Sequence, residues 1–300
     1  MLRRTVLLSG LSLAATSAFA FRSVAQTSVG QARLTSVSDG HLVLPESFVI
    51  GDLPADEARA IVEAAGFSAD GYEPPCNLTL WESGDAKVLF DAGSGSGFMP
   101  TAGQIVDSLA AIELTPDDIT HVIFTHGHPD HLWGALDDFD EPLFANASHH
   151  MGAEEQAYWT DPATLDSIEP ERQSFVAGAA RRLEVLGSGL VLFGDGDEVM
   201  PGIKAVATPG HTPGHMSFRL SDGSETVFVI GDAIGNGHLA LARPDWASPA
   251  DQIPDQGIET RMALLQELAA SGERAVGFHL PGGGIGTFGA DDGGFTFTQS

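Results

Sequence analysis

Six consecutive residues, His126-Gly127-His128-Pro129-Asp130-His131, carry three imidazoles and a carboxylate. A lone histidine is usually a satisfied structural residue, but four potential ligands in six positions point to metal coordination. Imidazole nitrogen and carboxylate oxygen suit zinc first, with iron, manganese or cobalt compatible. The motif lacks cysteine, which argues against a closed structural zinc site. Three further candidates lie downstream. His211 sits in the Gly/Pro-rich run Thr208-Pro209-Gly210-His211-Thr212-Pro213-Gly214-His215; Asp232 follows an apolar strand in Ile230-Gly231-Asp232-Ala233; His279 lies in Gly277-Phe278-His279-Leu280-Pro281. Together these residues could hold two divalent metal ions, with Asp232 as a bridge, and leave positions open for water and substrate. Such a pair lowers the pKa of a bridging water from about 15.7 to about 7, giving hydroxide at neutral pH without a serine or cysteine nucleophile. The substrate's phosphoryl or carbonyl oxygen would bind an open metal position, where the developing charge is stabilised. Asp130 is expected both to ligate and to relay a proton to the leaving group.

Several residues form a second tier. Asp91, in Phe90-Asp91-Ala92-Gly93, either accepts a hydrogen bond from a ligand histidine or is an ordinary turn aspartate. Phe98, Trp159 and Phe175 are candidates for the wall of an apolar substrate pocket, with core packing as the competing role, above all for Phe175. His215 is expected to brace its loop. His149, His150 and His238 read as surface residues, His238 also as a lesser candidate for substrate contact. Cys76 is the only cysteine, which excludes an intrachain disulfide, and it reads as a buried small residue rather than a nucleophile.

The elements that must position these ligands alternate between β-rich and helical segments, with no repeats and no low-complexity linker. Residues 78–81 and 87–90 read as strands joined by the turn 82–85. Ile105, Leu109 and Ile112 fall at helical spacing. Thr115 followed by Pro116 reads as a helix start ahead of a strand over 121–125, which delivers the six-residue motif. In the second half, strands are expected at 203–207, 215–220, 226–230 and 274–278, and a helix at 258–270, with the candidate ligands at or just past strand ends. A β-rich half and a helix, twice over, predict an α/β protein of the α+β type, a four-layer αββα sandwich with its site at one rim.

The first twenty of the 300 residues read as a signal peptide, with Arg3 and Arg4 ahead of an apolar run and Ala18-Phe19-Ala20 as a cleavage site. The arginine pair is similar to a twin-arginine signal, so the chain is expected to be exported, periplasmic or secreted. A tether over 21–32 and one domain over 33–300 complete the division. The apolar run is too short for a stable membrane span of about 30 Å. The formal charge of −27 disfavours nucleic acid as substrate or partner, and 43% apolar residues describe a chain that buries a core.

The strings Thr125–His131 (THGHPDH), Thr208–His215 (TPGHTPGH), Gly231-Asp232-Ala233 and Phe278-His279-Leu280-Pro281-Gly282 resemble, in order and spacing, the metallo-β-lactamase superfamily, over most of the chain. The resemblance implies a hydrolase with His126, His128 and His211 on one metal, Asp130, His131 and His279 on the other, and Asp232 between them. Aspartate at 232, where the β-lactamase branch usually has cysteine, counts against antibiotic hydrolysis. The second half, with Pro201-Gly202-Ile203-Lys204-Ala205 and Leu280-Pro281-Gly282, resembles the methyl parathion hydrolase group. That resemblance implies cleavage of an apolar organophosphate triester or related ester, with lactonase (including acyl-homoserine lactones) or arylesterase activity as the alternative. Lactonases of similar type place a tyrosine three residues after the bridging aspartate, where this chain has Gly235. A metal-binding scaffold without turnover is the reading outside enzymology, and a homodimer is expected by analogy alone.

Overall fold

The computed structural model describes residues 25–68 and 71–300. Among the described residues, fourteen strands form two seven-stranded sheets. The first, in chain order, holds β1 (Gln26–Val29), β2 (Ala32–His41), β3 (Pro75–Ser83), β4 (Ala86–Phe90), β5 (His121–Phe124), β6 (Ser148–Gly152) and β7 (Leu190–Phe193). It is antiparallel from β1 to β4 and parallel from β4 to β7. The second, again in chain order, holds β8 (Glu198–Met200), β9 (Ile203–Ala207), β10 (Met216–Asp222), β11 (Glu225–Gly231), β12 (Arg274–Gly277), β13 (Ile285–Asp291) and β14 (Gly294–Gln299), with only β11 and β12 running parallel. The helices are α1 (Glu46–Val49), α2 (Ala55–Ala64), α3 (Ile105–Ala110), α4 (Pro129–Leu132), α5 (Ala153–Thr160), α6 (Pro162–Ser167), α7 (Gln173–Leu186), α8 (Leu239–Ala242) and α9 (Pro254–Ser271). No helix among the described residues is long and apolar enough to cross a membrane.

Strand periodicity explains the layers. In β4, Val88 and Phe90 face the second sheet while Leu89 faces the helices; in β11, Val227 and Val229 face inward while Phe228 and Ile230 pack under α9. Strands covered on both faces read as continuous apolar runs. Phe90 and Phe218 meet between the sheets at 5.1 Å. Val176, Ala179 and Leu183 of α7 cover the first sheet; Leu264, Leu265 and Leu268 of α9 cover the second. The result is the expected four-layer αββα sandwich.

Three expectations change. The tether is sheet from Gln26, because β1 pairs with β2 through Val29 and Ala32; the expected leader, and residues 21–24, lie outside the described residues. The helix start at Thr115-Pro116 is one 3-10 turn, Pro116–Asp118, whose Asp118 carboxylate accepts from Thr115 N and Oγ1. His149, His150 and His238 are buried, not on the surface. The first two are neighbours on a strand covered on both sides, so they point to opposite faces: His149 stacks on Phe124 among the outer core, and His150 lies beside His121 between the sheets. His238 caps α8, its Nδ1 accepting from Leu239 N at 2.7 Å, with its ring edge-on to Tyr72.

Candidate metal centre

The ligand candidates converge because each leaves a strand end at the same rim. β5 stops at Phe124, the chain turns through Thr125 to His128, and Pro129 at the first position of α4 starts a single helical turn. His126 and His128 therefore precede the turn while Asp130 and His131 ride on it, aimed at a different point. β11 ends at Gly231, whose φ of 60° releases the chain toward Asp232; a side chain there would meet His215 Nε2 at 2.7 Å. His279 follows β12 by two residues.

Two donor sets result. His126 Nε2 lies 3.0 Å from His128 Nδ1, which lies 2.9 Å from His211 Nε2. Asp130 Oδ2 lies 3.5 Å from His131 Nε2 and 3.3 Å from His279 Nε2. Asp232 Oδ2 belongs to both, at 3.4 Å from His131 Nε2, 3.2 Å from His279 Nε2 and 3.4 Å from His211 Nε2. With metal–nitrogen bonds of about 2.05 Å, the edge of a tetrahedral donor set is about 3.3 Å, so these spacings fit donors around divalent metal ions. The unpaired atoms agree: His131 Nε2 and Asp232 Oδ1 are buried without a hydrogen-bond partner among the described residues, a state that coordination would relieve.

Electrostatics separate the sets. Burial, reinforced by neighbouring imidazoles, pushes His126 and His128 well below the ordinary histidine range, leaving neutral rings with lone pairs to offer. Burial would also lower His131 and His279, but the carboxylates, Asp232 foremost, outweigh it and raise His131 well above its usual range and His279 to about 10. Burial alone would raise Asp130 and Asp232; the facing histidines, His131 for Asp130 and His279 for Asp232, hold both below the usual carboxylate range. This second set is a compact cluster of opposite charges in which a divalent cation can replace protons.

Each of the five imidazoles has a partner on its other nitrogen. His131 Nδ1 donates to Asp91 Oδ2 at 2.8 Å, and Asp91 also accepts from Thr125 N and Oγ1. Asp91 holds a positive φ of 66°, a backbone state uncommon outside glycine and found at functional sites. His126 Nδ1 meets Thr125 Oγ1 at 3.0 Å, His211 Nδ1 faces Asp251 Oδ1 at 3.4 Å, His279 Nδ1 donates to Pro75 O at 2.8 Å, and His128 Nε2 meets the side-chain amide of Gln252. His215 braces as expected: Nδ1 meets Thr208 Oγ1, and Nε2 accepts from Asp232 N at 3.0 Å.

The aromatic candidates divide. Phe175 lies 5.9 Å from the His128 ring and Phe98 packs edge-on against Phe175, both partly exposed. Trp159 also touches His128, at 5.7 Å, but is fully buried, so it backs the ligand loop instead of opening to the rim. His238 is buried under α8 and offers no exposed face to a substrate. Cys76 is buried within reach of Asp130 and His279, its thiol raised by burial and then by nearby carboxylates.

Sequence reasoning missed Glu155, Asp251 and Gln252. Glu155 is fully buried: Oε1 accepts from Gly127 N and Trp159 Nε1, Oε2 from Thr212 Oγ1 and Gly214 N. One carboxylate thus ties the 126–131 loop to the 208–215 loop. A glutamate in the first turn of a helix looks like an ordinary solvated residue, and nothing local signals otherwise.

Set against known proteins, residues 71–278 match the model of the family described as the metallo-beta-lactamase superfamily. The chain belongs to the metallo-β-lactamase superfamily. It is a metal-dependent hydrolase of that superfamily. Its fold is shared with AidC, a dizinc quorum-quenching lactonase in complex with a product, at a TM-score of 0.86 and 22% identity, covering 92% of this chain and 97% of that one. Hydrolase AbOPH in the beta lactamase superfamily gives a TM-score of 0.85 at 26% identity with the same coverage. An N-acyl homoserine lactonase of Bacillus thuringiensis is 24% identical over 212 residues, 63% of this chain and 73% of the relative.

Proposed function

We propose that the chain holds two divalent ions, zinc first, with His126, His128 and His211 at one, Asp130, His131 and His279 at the other and Asp232 shared, and that it hydrolyses uncharged apolar esters. The observation that carries this is Asp232 Oδ2, a single carboxylate oxygen within 3.4 Å of nitrogens from both donor sets. Bound there, the metals supply Lewis acidity toward the substrate's oxygen and an acidified water. The protein's own part is orientation and proton handling. Asp91, Thr125, Asp251 and the Pro75 carbonyl fix four of the imidazoles, and such partners raise ligand basicity. Asp130 faces His279 through Oδ2 and is the group we assign to carry a proton to the leaving oxygen.

Phe175 beside His128, with Phe98 packed against it, favours an apolar substrate, and the formal charge of −27 disfavours an anionic one. Lactones come first, supported by the lactonase relative. Phosphotriesters are the second reading, supported by the likeness of the second half of the sequence to the methyl parathion hydrolase group. Gly235, with a φ of 86° and open space where a side chain would stand, offers no hydroxyl at the position where lactonases carry tyrosine. A leader ending at Ala20 would export the protein, and a mature N-terminus at Phe21 would support that. The test of function is turnover of the zinc-loaded chain on aliphatic and acyl-homoserine lactones against a nitrophenyl phosphotriester, with Asp232→Ala as control. Lactone turnover lost in the control supports the first reading, and phosphotriester turnover alone moves it to the second. Two bound metals with no turnover on either would sink the substrate class.

A further inference from the structure

Gln252 does not belong to the ligand set, yet its side chain ends on one. Its amide nitrogen lies 3.0 Å from His128 Nε2, and its Oε1 is buried with no hydrogen-bond partner among the described residues. The backbone around it is fixed: Gln252 N donates to His211 O at 3.0 Å, and the neighbouring Asp251 faces His211 Nδ1 and pairs with the buried Arg261. Arg172 holds the preceding carbonyls of Pro249 and Ala250. A segment anchored by two arginines therefore presents the amide to His128.

His128 points Nδ1 at His126 and His211, and Nε2 at Gln252. A neutral imidazole carries one proton. When Nε2 is bare it accepts from the Gln252 amide N–H, and the Nδ1 proton occupies the space where a metal would bind. When Nδ1 offers its lone pair to a metal, the proton is on Nε2, and an amide N–H facing it would oppose donor to donor. Turning the amide by 180° brings Oε1 round to accept that proton and gives the orphaned oxygen a partner.

We propose that Gln252 is the positioning residue for His128: with its side-chain oxygen toward His128 Nε2 it holds the ring in the Nε2–H form that frees Nδ1 for a metal. The inference rests on the metal reading above. His211 faces a carboxylate that can only accept, and His126 meets a Thr125 hydroxyl whose proton is already given to Asp91, so neither has such a choice; Gln252 can serve either state because an amide is donor on one side and acceptor on the other.

The test compares zinc affinity of the full native chain, Gln252→Met and Gln252→Glu by chelator competition, with side-chain 15N spectra of the native chain before and after zinc. Methionine keeps the shape and removes the acceptor, so affinity is expected to fall about 10–100-fold, the usual effect of losing such a partner. Glutamate can only accept, so Gln252→Glu is expected to bind zinc as tightly as the native chain or more so. In the native spectra, zinc is expected to leave His128 protonated at Nε2. Native affinity in Gln252→Met, an equal fall in Gln252→Glu, or a zinc-loaded His128 protonated at Nδ1 would each overturn the proposal. The last is read on the native chain and so does not depend on either variant folding. A native chain that binds no zinc would instead overturn the metal reading itself.

Discussion

Replacing Glu155 by glutamine tests whether the two ligand loops are tied by one carboxylate. The oxygen of glutamine must take the place of Oε1, because Gly127 N–H and Trp159 Nε1–H can only donate. Its NH2 group then faces the Thr212 hydroxyl, which can turn to accept, and Gly214 N–H, which cannot. Three bonds fall from charge-assisted to neutral, at about 1 kcal/mol each, and one buried N–H is orphaned at about 1–3 kcal/mol. Against this, burial raises the Glu155 pKa, so the native charge is held at a cost that glutamine does not carry. The net loss should be about 2–4 kcal/mol. Urea unfolding of the metal-free protein at pH 7.5 measures it, and chelator competition should show zinc binding weakened more than about 10-fold as the loops loosen. Stability within about 0.5 kcal/mol of native, the range of an ordinary surface substitution, together with unchanged zinc affinity would refute the clamp.

His150 should make the fold acid-sensitive. Burial beside His121 and His149 lowers its pKa to about 4, and its two ring nitrogens are buried without partners among the described residues. The unfolded chain, with an ordinary pKa of about 6.5, binds the proton more readily, so this contribution is intact above about pH 7 and drains away as pH falls from about 6.5 toward 4. By pH 5 it amounts to about 2 kcal/mol; His150→Leu should therefore lose about that much less stability than native between pH 7.5 and pH 5, and parallel curves would contradict it. Asp91→Asn keeps a residue that tolerates a positive φ but weakens the acceptor on His131, so zinc affinity should drop about 10–100-fold with the fold intact by circular dichroism. Gly214→Ala would set a methyl group 2.2 Å from the backbone nitrogen of Glu155, and thermal unfolding should report a loss of about 2 kcal/mol or more.

The candidate ligands were legible in the sequence because metal chemistry calls for rare residue types in short strings, and the strands because burial on both faces makes an apolar run such as 226–230 while one buried face makes an alternating one such as 203–207. What escaped was long-range polar pairing. Glu155 meets Thr212 across 57 residues and Asp91 meets His131 across 40, and only the folded chain brings such partners together. Asp91 could be suspected from its strand-end position, whereas Glu155 could not. His149 and His150 misled for a related reason: adjacent polar residues imply a surface unless the strand is known to be covered on both sides.

Seven side chains are assigned to one centre for two metals. Elemental analysis of zinc-loaded, dialysed native protein beside Asp232→Ala and His279→Ala tests it most directly. Two zinc ions per native chain, with fewer in both variants, is the predicted result; one ion or none in the native chain, or two retained in both variants, would contradict it.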